Sequence, residues 1–95
     1  MRDALRITNI RFVPAPPALR STGLLGWATV ALNDGLDLGY IGVRRTRDGR
    51  IVLAFPERKD RTGVVRPIVR PLNQAAREGV TDLVVAELRR RGAIQ

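Results

Sequence analysis

Between Pro56 and Asn73 the chain reads PERKDRTGVVRPIVRPLN, and the four arginines and one lysine of this run are the residues best suited to chemistry. A guanidinium is a planar fork of donors that pairs bidentately with phosphate oxygens and, in a groove, with guanine. From Arg44 to Arg70 nine basic residues (Arg44, Arg45, Arg47, Arg50, Arg58, Lys59, Arg61, Arg66, Arg70) meet three acidic ones (Asp48, Glu57, Asp60). That stretch therefore carries +6 of the chain's formal net charge of +8. Such a balance calls for an anionic partner: nucleic acid, a membrane surface or an acidic protein. Arg58, Lys59, Arg61, Arg66 and Arg70 are candidate nucleic-acid contacts. So is Arg77, because a cation near the start of a helix is electrostatically misplaced unless an anion arrives. The competing reading is a solvated loop whose charge only aids solubility, and it applies most directly to Arg45, Arg47 and Arg50 on a hairpin tip.

Other chemistries have little to stand on. The 95 residues contain no His and no Cys, which removes the usual proton shuttle, the thiol nucleophile and any disulfide or thiolate metal site. Asp34, Asp37, Asp48 and Asp60 fall mostly in turn sequences, where Asp supports turn geometry. Thr46 and Thr62 lack a recognisable base partner. No glycine-rich loop leads from a strand into a helix, so a nucleotide cradle is not supported. A non-enzymatic protein is expected, with no cofactor, no metal and no small-molecule substrate. Aromatic residues make up only 4% of the chain, which argues against a base-stacking platform. No apolar run approaches a spanning helix and no signal-peptide pattern opens the sequence, so a cytoplasmic protein without membrane attachment is expected.

The elements that must position the arginines can be read from patterning. Ninety-five residues suit a single domain spanning 1–95. Ala4 to Val13 alternates over Leu5 and Ile7, then resumes in the other phase at Ile10 and Phe12, which predicts a strand with a bulge near Thr8-Asn9. Pro14 to Gly23 holds three prolines without periodicity and predicts an exposed connection. Leu24 to Leu32, Leu36 to Arg45 and Arg50 to Phe55 read as strands joined by hairpin turns at Asn33-Asp34-Gly35 and Thr46 to Gly49. Trp27 and Phe55 are expected in the core, with Trp27 also a candidate for a subunit contact. Asn73 can cap a helix whose apolar face is Ala76, Val80, Leu83, Val84 and Leu88, and Gly92 is a natural stop. The fold class is thus α+β: a four- to five-stranded antiparallel meander, a basic loop, and a C-terminal helix.

The prolines restrain the basic segment. Each residue before a proline is pushed out of the helical region, so Arg66 to Pro71 is expected to be extended and, lacking two donors, to lie at a sheet edge. Two guanidiniums four residues apart in an extended strand project to one face. Such a segment is either a ruler for phosphates or a guard against edge-to-edge aggregation. Arg89, Arg90 and Arg91 are open to a similar choice between reaching a phosphate backbone and complementing the helix dipole.

The same run resembles the stage V sporulation protein G (SpoVG) family of bacterial regulators. Pro56, the basic pair Arg58-Lys59 (order inverted), Gly63, Arg66, Ile68, Pro71 and Asn73 match the family's pattern without a gap, and Arg77 falls on a basic position of its helix. ITNIRF is similar to the family's opening strand, and YIGV and IVLAFP to its third and fourth. Asp60-Arg61-Thr62 departs from the family's Thr-Pro-Asp turn, and Pro67 stands where the family has an acidic residue. The resemblance implies an antiparallel sheet followed by a helix, assembled as a homodimer. It also implies site-selective DNA binding, with RNA as a further ligand, and a part in gene regulation and septation. An adaptor that meets an acidic protein of the division machinery is the competing function.

Overall fold

A computed structural model describes residues 5–95. Ala4, where the first strand is expected to begin, lies outside the described residues, as do the other residues before Leu5. The elements run β1 (Ile7–Pro14), α1 (Pro17–Arg20), β2 (Leu24–Leu32), β3 (Leu36–Arg45), β4 (Ile51–Ala54), β5 (Glu57–Lys59), β6 (Val65–Pro67) and α2 (Gln74–Arg90). The first four strands form one antiparallel sheet in the order β1-β2-β3-β4, and β5 pairs with β6 in a separate ribbon.

Local chemistry accounts for the meander's turns. Asn33 and Asp34 hold positive φ angles of 52° and 57°, which Asn and Asp tolerate and which the mirror-image hairpin turn demands. Gly35 N–H closes that turn on Leu32 at 2.9 Å. Asn33 Oδ1 also accepts the Arg6 amide at 2.8 Å, tying the turn to the chain leading into β1. At the second hairpin the Asp48 carboxylate accepts from Thr46 Oγ1 and from Arg50 Nε, and Thr46 N–H meets Arg50 O at 2.8 Å.

Bulges decide which side chains reach the core. The β1 register steps from Ile7 opposite Leu32 to Asn9 opposite Ala31, so Thr8 is the extra residue that the phase change of that strand predicts. A second break opposes Thr29 to Tyr40 and Ala31 to Asp37. Gly39 supplies the positive φ of 74° this bulge needs, so Leu38 before it and Ile41 and Val43 after it are all buried. A third break lies at Gly26, where a Cβ would stand 2.3 Å from Val13 O and 2.6 Å from the Phe12 ring.

Helix α2 starts where Asn73 Oδ1 accepts the Ala76 amide at 2.8 Å. It ends with Gly92 N–H on Arg89 O at 3.0 Å and Ala93 N–H on Leu88 O at 2.9 Å, with Gly92 at φ 73°. This is a Schellman motif, and Ile94 then packs against the core. Val80, Val84 and Leu88 bury against Ile10, the even positions Ala28 to Leu32 of β2, Leu38, Ile41 and Val43 of β3, and Leu53 of β4. Phe55 is partly buried against this cluster. At Gly79, inside α2, a Cβ would have no neighbour within 4 Å among the described residues.

Three expectations need correction. The Pro14–Gly23 connection is largely exposed as expected, but Ala15 is buried with its N–H on Leu25 O at 3.0 Å, and Pro17–Arg20 forms one helical turn. Trp27 does not join the core. It lies half-buried on the sheet face away from α2, since it alternates with the buried Gly26 and Ala28. The basic segment is an edge strand, as its prolines require, but of a separate two-stranded ribbon and not of the main sheet. Residues 57–67 fold into a hairpin of their own, and β6 stops at Pro67, after which the Ile68 amide turns back to Pro56 O at 3.0 Å.

Candidate nucleic-acid interface

The ribbon is organised by one carboxylate. Asp60 Oδ1 accepts from Thr62 N–H at 2.9 Å, Thr62 Oγ1 at 2.6 Å and Val64 N–H at 3.1 Å, while Oδ2 accepts from Arg66 Nε at 3.0 Å. The Thr62 hydroxyl first, then the Arg66 guanidinium, hold its carboxyl down at about 2. Gly63, at φ 87°, completes the reversal and donates to Asp60 O at 3.1 Å. A short polar side chain that satisfies its own turn is what makes Asp effective here.

The register then sets the charges. Arg58 stands directly opposite Arg66, and Lys59 opposite Val65. Opposed residues share a face, so the two arginines lie side by side on one face of the ribbon while Lys59 projects from the other. Like charges so placed repel unless an anion lies between or beside them. Asp60 offsets Arg66, whereas Arg58 and Lys59 have no side-chain partner among the described residues. Arg61 is exposed at the tip. Every residue of β5 and β6 is exposed, so the ribbon stands off the body. A two-stranded ribbon is one of the elements that the DNA major groove, ~12 Å wide, admits.

Arg70 and Arg77 form a second group at the ribbon's base. Both line a cleft of about 350 Å³ with Leu53, Phe55, Pro56 and Pro67. The Arg77 guanidinium lies 5.7 Å from the centre of the Phe55 ring, whose π face offsets a cation placed in the first turn of α2. That partnership has no signature in the sequence, because the two residues belong to different elements. Arg70 is exposed, with no side-chain partner among the described residues. The six expected contacts thus fall into two groups rather than one patch.

The remaining arginines are mostly occupied. Glu87 binds Arg90 at 2.5 Å and Arg91 at 2.9 Å, and these partners hold its carboxyl at about 2. Arg89 Nε and Arg45 Nη2 both donate to the backbone oxygen of Gln95, at 3.2 and 3.1 Å. The arginines closing α2 therefore serve the helix end and the C-terminal residues. Arg50 is paired with Asp48 at 3.0 Å.

Fold and site together define a small α+β protein with a basic two-stranded ribbon between its sheet and its C-terminal helix. No family model matches the chain. It is 30% identical over 83 residues to a relative from Borrelia hermsii (strain HS1 / DAH) that is named as a septation protein, SpoVG. The match covers 87% of this chain and 85% of the relative. The chain belongs to the SpoVG family, as the residues from Pro56 to Arg77 lead one to expect.

Proposed function

We propose that this protein is a nucleic-acid-binding regulator, working in the cytoplasm with a role in septation, that grips duplex DNA through the Arg58/Arg66 face of its ribbon. RNA is a second ligand. The observation that carries the reading is the side-by-side placement of two guanidiniums on a fully exposed ribbon, with Arg58 unpaired among the described residues. Arginines elsewhere in the chain are mostly tied to Glu87, Asp48 or Gln95, whereas Arg58 has no such partner among the described residues and Arg66 meets only the exposed turn's Asp60. Arg61 and Lys59 would take flanking phosphates, and Arg70 and Arg77 a phosphate at the ribbon's base. The septation role is supported by the relative's name.

The functional unit we propose is a homodimer. Ile68 and Leu72 are 62% and 90% exposed, and Val64 and Val65 of the ribbon are exposed as well. An isolated two-stranded hairpin is marginally stable in water, so a second copy lying against these side chains would support it.

Binding to a random duplex as a function of salt tests the ligand. Affinity should fall log-linearly with salt, and Arg58→Ala with Lys59→Ala should reduce the slope by about 2, one per lost phosphate contact. Negligible affinity even at low salt would overturn the reading in favour of an adaptor for an acidic partner protein.

A further inference from the structure

Helix α2 covers one face of the main sheet, and among the described residues the other face is left open. Its residues follow from the register: Arg11 lies opposite Thr29 and Thr29 opposite Tyr40, while Val13, Trp27, Gly42 and Ala54 form one row across all four strands. Trp27 stands near the middle of this face. Its direct neighbours are Val13 and Gly42, and its diagonal neighbours include Arg11, Tyr40 and Arg44, at the spacing that aromatic and long side chains can bridge. Two of the four aromatic residues of the chain are therefore gathered on a surface that the scarcity of aromatics argues against.

The surroundings leave the Tyr40 ring open to a ligand and the Trp27 ring partly so. Tyr40 is 64% exposed and Val13 51%. Gly42 and the small Ala54 leave the rest of Trp27's row low. The charge here is positive. Arg11 has no side-chain partner among the described residues, and Arg44 uses Nη2 for Thr22 O at 3.0 Å while its other donors remain for a ligand. Asp37, in the row of Ala31 away from Trp27, is occupied by the Gly39 amide at 2.7 Å.

We infer that this open face is a second nucleic-acid site, one that takes single strands by stacking two bases on Trp27 and Tyr40 while Arg11 and Arg44 meet the adjoining phosphates. The inference rests on the nucleic-acid reading of the ribbon and assigns the two surfaces different ligands: duplex to the ribbon, unpaired strand to the sheet. The chemistry selects the occupant. Aromatic rings flanked by guanidiniums on an antiparallel sheet match bases and phosphates together, and a protein ring cannot reach the face of a base already stacked and paired inside an intact duplex. A second copy docked by the same face would set Arg11 and Arg44 against their own counterparts, like charge against like.

Trp27 is the chain's single tryptophan, so its emission reports on this face alone. The full chain would be titrated with a twelve-residue oligothymidylate, and separately with a duplex, while tryptophan fluorescence and the anisotropy of the labelled nucleic acid are followed. The single strand should quench Trp27 strongly and the duplex only weakly. Tyr40→Ala should cost about tenfold in single-strand affinity and leave duplex affinity intact, Tyr40→Phe should restore it, and Arg58→Ala with Lys59→Ala should preserve the quenching. Single-strand binding by anisotropy without a change in Trp27 emission overturns the inference and leaves the ribbon reading standing. Emission that shifts on dilution without nucleic acid overturns it in favour of contact between copies. Failure of both nucleic acids to bind overturns both readings.

Discussion

Asp60→Asn separates the charge of the ribbon's turn from its geometry. The side-chain carbonyl of Asn can still accept the Thr62 and Val64 amides, which stand 2.9 and 3.1 Å from Asp60 Oδ1. In place of Oδ2 it offers an amide, which cannot accept from Arg66 Nε, so the 3.0 Å ion pair is lost. Arg66, whose charge Asp60 offsets in the wild-type ribbon, then meets the duplex beside Arg58 with its full charge, the equivalent of one more phosphate contact. One more contact steepens the log-log salt dependence of duplex binding by about 0.9. Between 50 and 200 mM salt the salt-induced loss of affinity should therefore grow by a factor of about 3.5. Low-salt affinity should rise at the same time. Fluorescence anisotropy of a random duplex at four or five salt concentrations measures both. An unchanged slope would refute the placement of Arg66 against phosphate. Asp60→Ala adds the loss of the turn bonds, and amide exchange at Val64 should accelerate in that variant and not in Asp60→Asn. The melting temperature should hold in both, because no side chain of β5 or β6 is buried. The pH dependence has a definite sign. The Asp60 carboxyl is lowered from 3.8 to about 2, so its support of the turn is complete above pH 3.8 and is lost as the pH falls through 2.

Gly79→Ala should stabilise the protein by about 1 kcal/mol, since the new methyl meets nothing within 4 Å and the helix loses its most flexible residue. Thermal unfolding would show a rise of about 4–8 °C, and a fall would mean that Gly79 serves a contact outside this chain. Gly26→Ala should act the other way, because its Cβ would fall 2.3 Å from Val13 O and force β1 off β2. Its far-UV circular dichroism and melting curve should show partial loss of the sheet, and an intact melt would refute the close approach. Leu72→Asp with Ile68→Asp should convert a dimer to a monomer in sedimentation at micromolar concentration. A wild-type chain already monomeric there, or a variant still dimeric, would move the interface away from the ribbon's base.

Much of this protein is settled by its sequence because the responsible physics is local. The phase change between Ile7 and Ile10 marks a bulge, since a strand's side chains alternate strictly and one extra residue must invert them. Asn33-Asp34 demands a tight turn, Asn73 offers an acceptor to free amides, and Gly92 stops a helix. Each acts within a few residues of itself, as does Asp60 on its own turn. The concentration of charge between Arg44 and Arg70 needs only counting.

Tertiary structure decided what lies opposite what. The basic segment reads as a strand, but its partner is β5, three charged residues whose pairing shows only in the ladder from Glu57–Pro67 to Lys59–Val65. That pairing places Arg58 beside Arg66, instead of the Arg66–Arg70 face that an extended segment suggests. Arg77 gains its place from a ring in another element, and Arg90 and Arg91 share one glutamate that occupies them both. Trp27 reads as core by its size. It lies on the open face because the alternation of β2 commits Ala28, Val30 and Leu32 to the helix, leaving the odd positions for the other side. Which face of a strand is covered depends on where a helix fifty residues later comes to rest, and no local pattern encodes that.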